Sequence, residues 1–237
     1  MGKNNLIFGI HPLIEALEAG REIDKILLKR GLRSSEVSHI MDVAKERTIP
    51  VQIVPEERLT RLTRKQHQGV IAFISEIEYT QLDQLIPMLY EEGRSPFVVL
   101  LDGLTDVRNF GAIARTAECA GVDAIIIPER GSVSVTADAV KTSAGALHRI
   151  PVCRVSSIQA AVTLLQENGI QIVAASEKAA DIYTESELSL PLGLVLGAED
   201  HGVSQDVLRR ADKIVRIPQV GAIGSLNVSV AGGILIY

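Results

Sequence analysis

Ile217-Pro218-Gln219-Val220-Gly221-Ala222-Ile223-Gly224-Ser225-Leu226-Asn227-Val228-Ser229-Val230-Ala231 is the stretch on which the reading of this chain turns. An apolar strand over 214–217 runs into it, and a helix is expected to start near Asn227. Gly221 and Gly224 would let the backbone approach a ligand closely. The Ser-Leu-Asn-Val-Ser run sets hydroxyl and amide groups at the helix start. Two readings stay open: helix capping, the ordinary use of Ser and Asn there, or a site.

Two segments upstream share the design. Val195-Leu196-Gly197-Ala198-Glu199-Asp200-His201-Gly202-Val203-Ser204 is a strand ending in glycines with acids between them. By itself it is an ordinary β-to-α turn, and His201 alone is no metal ligand. Leu101-Asp102-Gly103-Leu104-Thr105-Asp106-Val107-Arg108-Asn109-Phe110-Gly111-Ala112-Ile113-Ala114-Arg115-Thr116 is a buried strand, a polar loop and a helix. Arg115 sits among small and apolar helix residues, where a guanidinium calls for an anionic partner. That partner is either a structural carboxylate or a ligand. In open parallel sheets, ligands bind at the carboxyl ends of strands, which is where all three segments lie.

The rest of the chain alternates strand and helix. Strands are expected at 23–28, 51–54, 69–75, 97–101, 124–127, 170–174, 192–196 and 214–217. Helices are expected at 12–19, 34–47, 56–65, 82–90, 111–120, 137–146, 158–167 and 204–210, the last capped by Ser204. This alternation predicts an α/β fold with a mostly parallel sheet covered on both faces. The domains are placed at 1–75 and 96–237, with 76–95 as a connector.

Composition bounds the class. Of 237 residues, 46% are hydrophobic and 3% aromatic, so the core is aliphatic, as buried parallel strands require. Net charge is -5, which counts against a general grip on phosphates. The charge is uneven: residues 1–80 hold 12 Lys and Arg against 11 Asp and Glu, and residues 81–237 hold 12 against 18. Any RNA contact is therefore expected mostly in the first part or in local patches. Cys119 and Cys153 lie in apolar surroundings and read as buried thiols. With no leader signal and no run of about 18 apolar residues, no membrane partner is expected, and the expected location is the cytoplasm. No metal cluster is evident. A GxGxxG element is lacking, which excludes the usual dinucleotide fingerprint.

Taken in order and spacing, the three segments resemble the motifs of the SpoU (TrmH) family of SPOUT RNA methyltransferases. Phe8-Gly9-Ile10-His11-Pro12 and His67-Gln68-Gly69-Val70 resemble landmarks of that family's L30e-like RNA-binding domain, so the likeness spans nearly the whole chain. It departs at Val107-Arg108, where a proline is usual between Asp106 and Asn109, and at Gln219, where methionine is common. The family's last helix usually runs a little beyond Tyr237.

The resemblance implies a SPOUT catalytic domain with a deep carboxyl-terminal trefoil knot, a homodimer, and a site near the dimer interface. It implies S-adenosylmethionine as methyl donor, held by backbone groups of Gly197, Ile217 and Leu226, and transfer to a ribose 2′-hydroxyl, with a guanosine of 23S rRNA the nearest likeness. Arg115 would be the central catalytic group, with Asn109, Glu199, Ser225 and Asn227 orienting it and the nucleotide. A guanidinium stays protonated, so Arg115 is read as a phosphate anchor that stabilises the developing alkoxide. Arg58, Arg61, Arg64 and Lys65, at helical spacing, are expected to form a basic RNA-binding face, unless they are only a solvated helix surface. The alternatives are a tRNA 2′-O-methyltransferase and a non-catalytic RNA-binding assembly factor.

Overall fold

The computed structural model describes residues 6–63 and 65–237; Arg64 lies outside the described residues. The chain divides into two compact units, Met1–Glu78 with Ser134–Thr136, and Tyr79–Val133 with Ala137–Tyr237.

The first unit runs β1 (Leu6–Phe8), α1 (Ile10–Glu18), β2 (Ile23–Lys29), α2 (Ser35–Glu46), β3 (Val51–Val54), α3 (Glu56–Leu62) and β4 (Val70–Ile74). Its sheet has the order β1-β4-β2-β3, with β2 and β3 parallel and the other pairs antiparallel. Ser34 starts α2 by accepting the Val37 amide at 3.2 Å, as an N-cap should. Val37, Ile40 and Ala44 then fall on one face and are buried. They join Leu13, Leu17, Ile26 and Val70 in one core.

The expected basic helix over 56–65 is corrected. α3 stops at Leu62, and Thr63 is extended at φ -153°. The Thr63 hydroxyl accepts the Lys65 amide at 3.0 Å, a local turn that competes with helix continuation. Arg58 and Arg61 remain on α3 and are exposed, but Lys65 leaves the helix and its ammonium lies 5.3 Å from the centre of the Phe8 ring.

The second unit runs β5 (Tyr79–Thr80), α4 (Leu82–Glu91), β6 (Phe97–Asp102), α5 (Val107–Cys119), β7 (Ala124–Pro128), α6 (Ala137–Thr142), β8 (Val152–Val155), α7 (Ile158–Glu167), β9 (Gln171–Ala175), β10 (Asp181–Ile182), β11 (Leu192–Gly197), α8 (Gln205–Leu208), β12 (Lys213–Arg216) and α9 (Val228–Ile236). Among the described residues its sheet has the order β10-β12-β9-β11-β6-β7-β8-β5, and every pairing is parallel. Alternate strand residues feed two faces. Leu100, Ile126, Ile172 and Val195 pack beneath Leu85, Ile86, Val162 and Leu165 of α4 and α7. On the other face α5 packs against α6 and α9.

Several expectations are revised here. The 76–95 stretch, read as a connector, supplies β5 to the sheet and α4 to its cover. α5 begins four residues earlier than expected, because the Asp106 carboxylate accepts the Arg108 and Asn109 amides, both at 2.8 Å. α6 ends at Thr142 instead of 146, because Ala144 (φ 52°) and Gly145 (φ 87°) turn the chain into a 3-10 turn at Ala146–His148. Ser204 does not cap α8 through its side chain, and its buried hydroxyl finds no partner among the described residues. Cys153 is buried as expected, and burial, aided by the nearby Asp83 charge, pushes its thiol up to about 12. Cys119 is exposed, because helical phase carries it onto the outer face of α5.

Candidate active site

Three loops meet at the carboxyl end of the parallel sheet, those following β9, β11 and β12. They enclose a cavity of about 360 Å³ whose walls include Leu196, Gly197, Ile217, Leu226, Val228 and Leu235, with Glu199 and Ser225 among the polar groups. The family resemblance implied Gly197, Ile217 and Leu226 as residues that hold the methyl donor, and all three line this cavity.

The loop after β11 is tight. Gly202 (φ 67°) returns its amide to the Ala198 carbonyl at 2.8 Å. A β-carbon at Gly197 would overlap the Gly202 carbonyl carbon and the Val203 nitrogen, so only glycine fits there. The loop is tied to β6 by Asp102, whose carboxylate accepts the Ser204 amide at 2.8 Å. Asp102 was not singled out from sequence. The signal was available, since a carboxylate closing a buried strand needs donors.

Asn227 joins the loops. Its carboxamide oxygen accepts the amides of Ser229 at 3.0 Å and Val230 at 3.4 Å, which caps α9, and the Ser229 hydroxyl at 2.6 Å. Its nitrogen donates to Glu199 Oε1 at 2.6 Å and to Asn109 Oδ1 at 3.0 Å. The capping reading of the Ser-Leu-Asn-Val-Ser run is realised in Asn227, and the other end of the same side chain joins two further loops. Because the cap occupies the oxygen, the NH2 group must face Glu199 and Asn109. Three residues from three motifs, far apart in sequence, become one hydrogen-bonded cluster.

Arg115 stays outside this cluster. It is exposed on α5, makes no ion pair among the described residues, and does not line the cavity. It lies six positions after Asn109, which rotates it about 120° away around the helix axis. The structural-carboxylate reading of Arg115 is thus not realised. Ser225 is exposed at the cavity wall, and its hydroxyl has no partner among the described residues. Arg58, Arg61 and Lys65 belong to the first unit.

Gln219 to Leu226 make no backbone–backbone hydrogen bond among the described residues. Eight consecutive peptide groups are left to pair with a ligand or water, beside walls of Leu and Val. Apolar walls with free backbone donors and acceptors suit a flat heterocycle read along its edge. Among the described residues there is no group of three or more His, Cys, Asp or Glu that could hold a metal ion, and no helix is long and apolar enough to cross a membrane.

Known proteins carry the same organisation. The SpoU rRNA methylase family matches residues 96–237, and the RNA 2′-O ribose methyltransferase substrate-binding family matches residues 6–80. A Staphylococcus haemolyticus protein assigned to the TrmH family of tRNA/rRNA methyltransferases is 38% identical over 98% of this chain and 93% of its own length. The crystal structure of an AdoMet-bound rRNA methyltransferase from Sinorhizobium meliloti superposes with a TM-score of 0.61 at 26% identity, covering 98% of this chain and 85% of that one. The A. aeolicus TrmH/SpoU tRNA modifying enzyme, at TM-score 0.56 and 28% identity, covers 66% of this chain and 81% of its own. The match over most of the catalytic unit, together with the substrate-binding match, means that the chain belongs to the SpoU rRNA methylase family and is an RNA methyltransferase.

Proposed function

We propose that the chain transfers a methyl group from S-adenosylmethionine to the 2′-hydroxyl of a guanosine in 23S rRNA. The observation that carries this is the Asn109–Asn227–Glu199 cluster, whose Glu199 lines the cavity. The donor supplies an electrophilic sulfonium methyl. The cavity suits it: Gly197, Ile217 and Leu226 present backbone along one wall, with apolar side chains beside it.

In the reaction the ribose oxygen forms a bond to the methyl carbon, the carbon–sulfur bond breaks with its electron pair staying on sulfur so that a neutral thioether leaves, and the hydroxyl proton passes to solvent. Asn109, Glu199 and Asn227 hold the nucleotide so that the oxygen lies in line with the methyl group, and such alignment supplies several kcal/mol. Ser225 offers a free hydroxyl for the ribose. Arg115, permanently charged, anchors the adjoining phosphate and stabilises charge growing on the oxygen. Its position about 120° from Asn109 on α5 leads us to place it in the site of a second copy, so that the working unit is a homodimer. The same reading includes the knotted carboxyl-terminal path implied by the resemblance. The first unit, with Arg58, Arg61, Arg64 and Lys65, selects the RNA.

The preference for rRNA rests on the two-unit organisation: the S. meliloti rRNA enzyme aligns along nearly all of the chain, the A. aeolicus tRNA enzyme along two thirds of it. The deciding experiment supplies radiolabelled S-adenosylmethionine with unmodified 23S rRNA, 16S rRNA or tRNA, and identifies the labelled nucleoside after digestion. Label in 2′-O-methylguanosine from 23S rRNA is the expected result. Label confined to tRNA would keep the chemistry and overturn the substrate. No label with intact donor binding would favour the assembly-factor alternative.

A further inference from the structure

The outer face of α5 carries more than Arg115. Arg108 lies seven residues before it, so the two side chains fall on one line, about 10 Å apart along the axis. Both are exposed. α5 packs against α6 and against the 3-10 turn at 146–148, where Lys141, His148 and Arg149 are also exposed. Over 107–119 and 137–149 there are four Lys and Arg against two acids, whereas residues 81–237 as a whole hold 12 against 18. None of these five side chains makes an ion pair or side-chain hydrogen bond among the described residues. Elsewhere in the same unit Arg94, Arg130 and Arg209 are each paired with a carboxylate. Open cations gathered on neighbouring elements of an acidic unit concentrate positive potential there. The turn between Lys141 and Arg149 is built on a non-glycine residue with positive φ, Ala144, a strained geometry of the kind that persists where it serves a purpose.

We propose that this face of the catalytic unit is a phosphate-binding surface that grips the RNA strand flanking the target nucleotide, with Arg108 as its principal contact. The proposal rests on the RNA-methyltransfer reading above, and it adds a second site of RNA affinity to the first unit. Guanidinium forks match phosphate oxygens bidentately, and the line of Arg108 and Arg115 lets one strand be held at the reacting nucleotide and beside it. Arg108 touches backbone and not base, so it adds affinity without choosing sequence.

The test uses the full chain, Arg108→Ala, the triple variant Arg108→Ala/Lys141→Ala/Arg149→Ala, and Arg130→Ala as a control. Affinity for a fluorescent 23S rRNA fragment is measured over a salt series, donor affinity by calorimetry, and kcat and KM by methyl transfer. Each lost contact should reduce the slope of log affinity against log salt by about 0.7–0.9. KM for RNA should rise several-fold in Arg108→Ala and further in the triple variant, with kcat, donor affinity and melting temperature near parental values. An unchanged salt slope in the triple variant overturns the proposal, and would be the result if this face docked an acidic protein instead. Donor affinity falling in step with RNA affinity would also overturn it, by showing a structural role. If the parental protein itself bound neither donor nor RNA, the functional reading would fail along with it; parental binding with unaltered variants removes only this face.

Discussion

Asn227 uses its two ends for different purposes, and substitutions separate them. Asn227→Ala removes the cap of α9 and should cost about 0.5–2 kcal/mol, read as a lower melting temperature, and it leaves Glu199 and Asn109 without their shared donor. Asn227→Asp keeps an oxygen for the cap and a negative charge at a helix start, which is favourable. It also sets a carboxylate against Glu199. Its melting temperature should stay near the parental value while methyl transfer falls steeply; full activity in this variant would refute the bridging role. The two thiols separate in the same way. Cys119 should react with iodoacetamide at pH 8 in the native protein, and Cys153 only after unfolding, so that the intact mass shows one label and then two. With its folded-state value raised from 9.0 to about 12, the Cys153 thiol contributes stability that is fully present below pH 9 and lost as pH rises towards 12. A Cys153→Ala protein should be less stable at pH 7, yet lose less of its stability over that alkaline range.

At the scale of elements, the turn after β11 is the least tolerant part of the site. Gly197→Ala forces the Gly202–Val203 backbone to move, at a cost of about 1–3 kcal/mol by analogy with overpacking; calorimetry should find donor binding abolished, and retained binding would show that the turn can relax. Elements with strong local signals were legible beforehand: the helices expected at 34–47 and 158–167 and the strand expected at 124–127 are found as α2, α7 and β7. The strands that were missed lack such signals. β1 has three residues, β5 and β10 two each, and β8 carries Arg154 in a buried position against the Tyr79 ring. Their pairing comes from partners distant in sequence. The cavity wall was legible from its glycines, because a missing side chain is a local fact. The Asn227–Glu199 bond was not, because two loops 28 residues apart had to fold first. Cys119 was misread because the small apolar residues Ala117 and Ala120 beside it in sequence do not share its face of the helix, where its neighbours are Ala112 and Arg115, a matter of phase.

For the whole molecule, the sharpest consequence of Arg115 lying away from Asn109 is complementation. In the proposed homodimer, Arg115→Ala and Asn227→Ala proteins, each inactive alone, should recover about a quarter of the parental rate when mixed and re-equilibrated, because half of the dimers would be mixed with one of their two sites intact. Were Arg115 to serve its own subunit, every site in a mixed dimer would carry one defect, and mixing would restore nothing. The cavity also imposes an order in time. Its walls need the loops after β9, β11 and β12 and the start of α9, so it cannot close until residues 217–231 have been synthesised and folded against strands made long before. While the ribosome is still translating the earlier part of the message, the nascent chain has a sheet but no place for a methyl donor. Each copy therefore becomes able to use a methyl donor only once its own synthesis has passed Ala231.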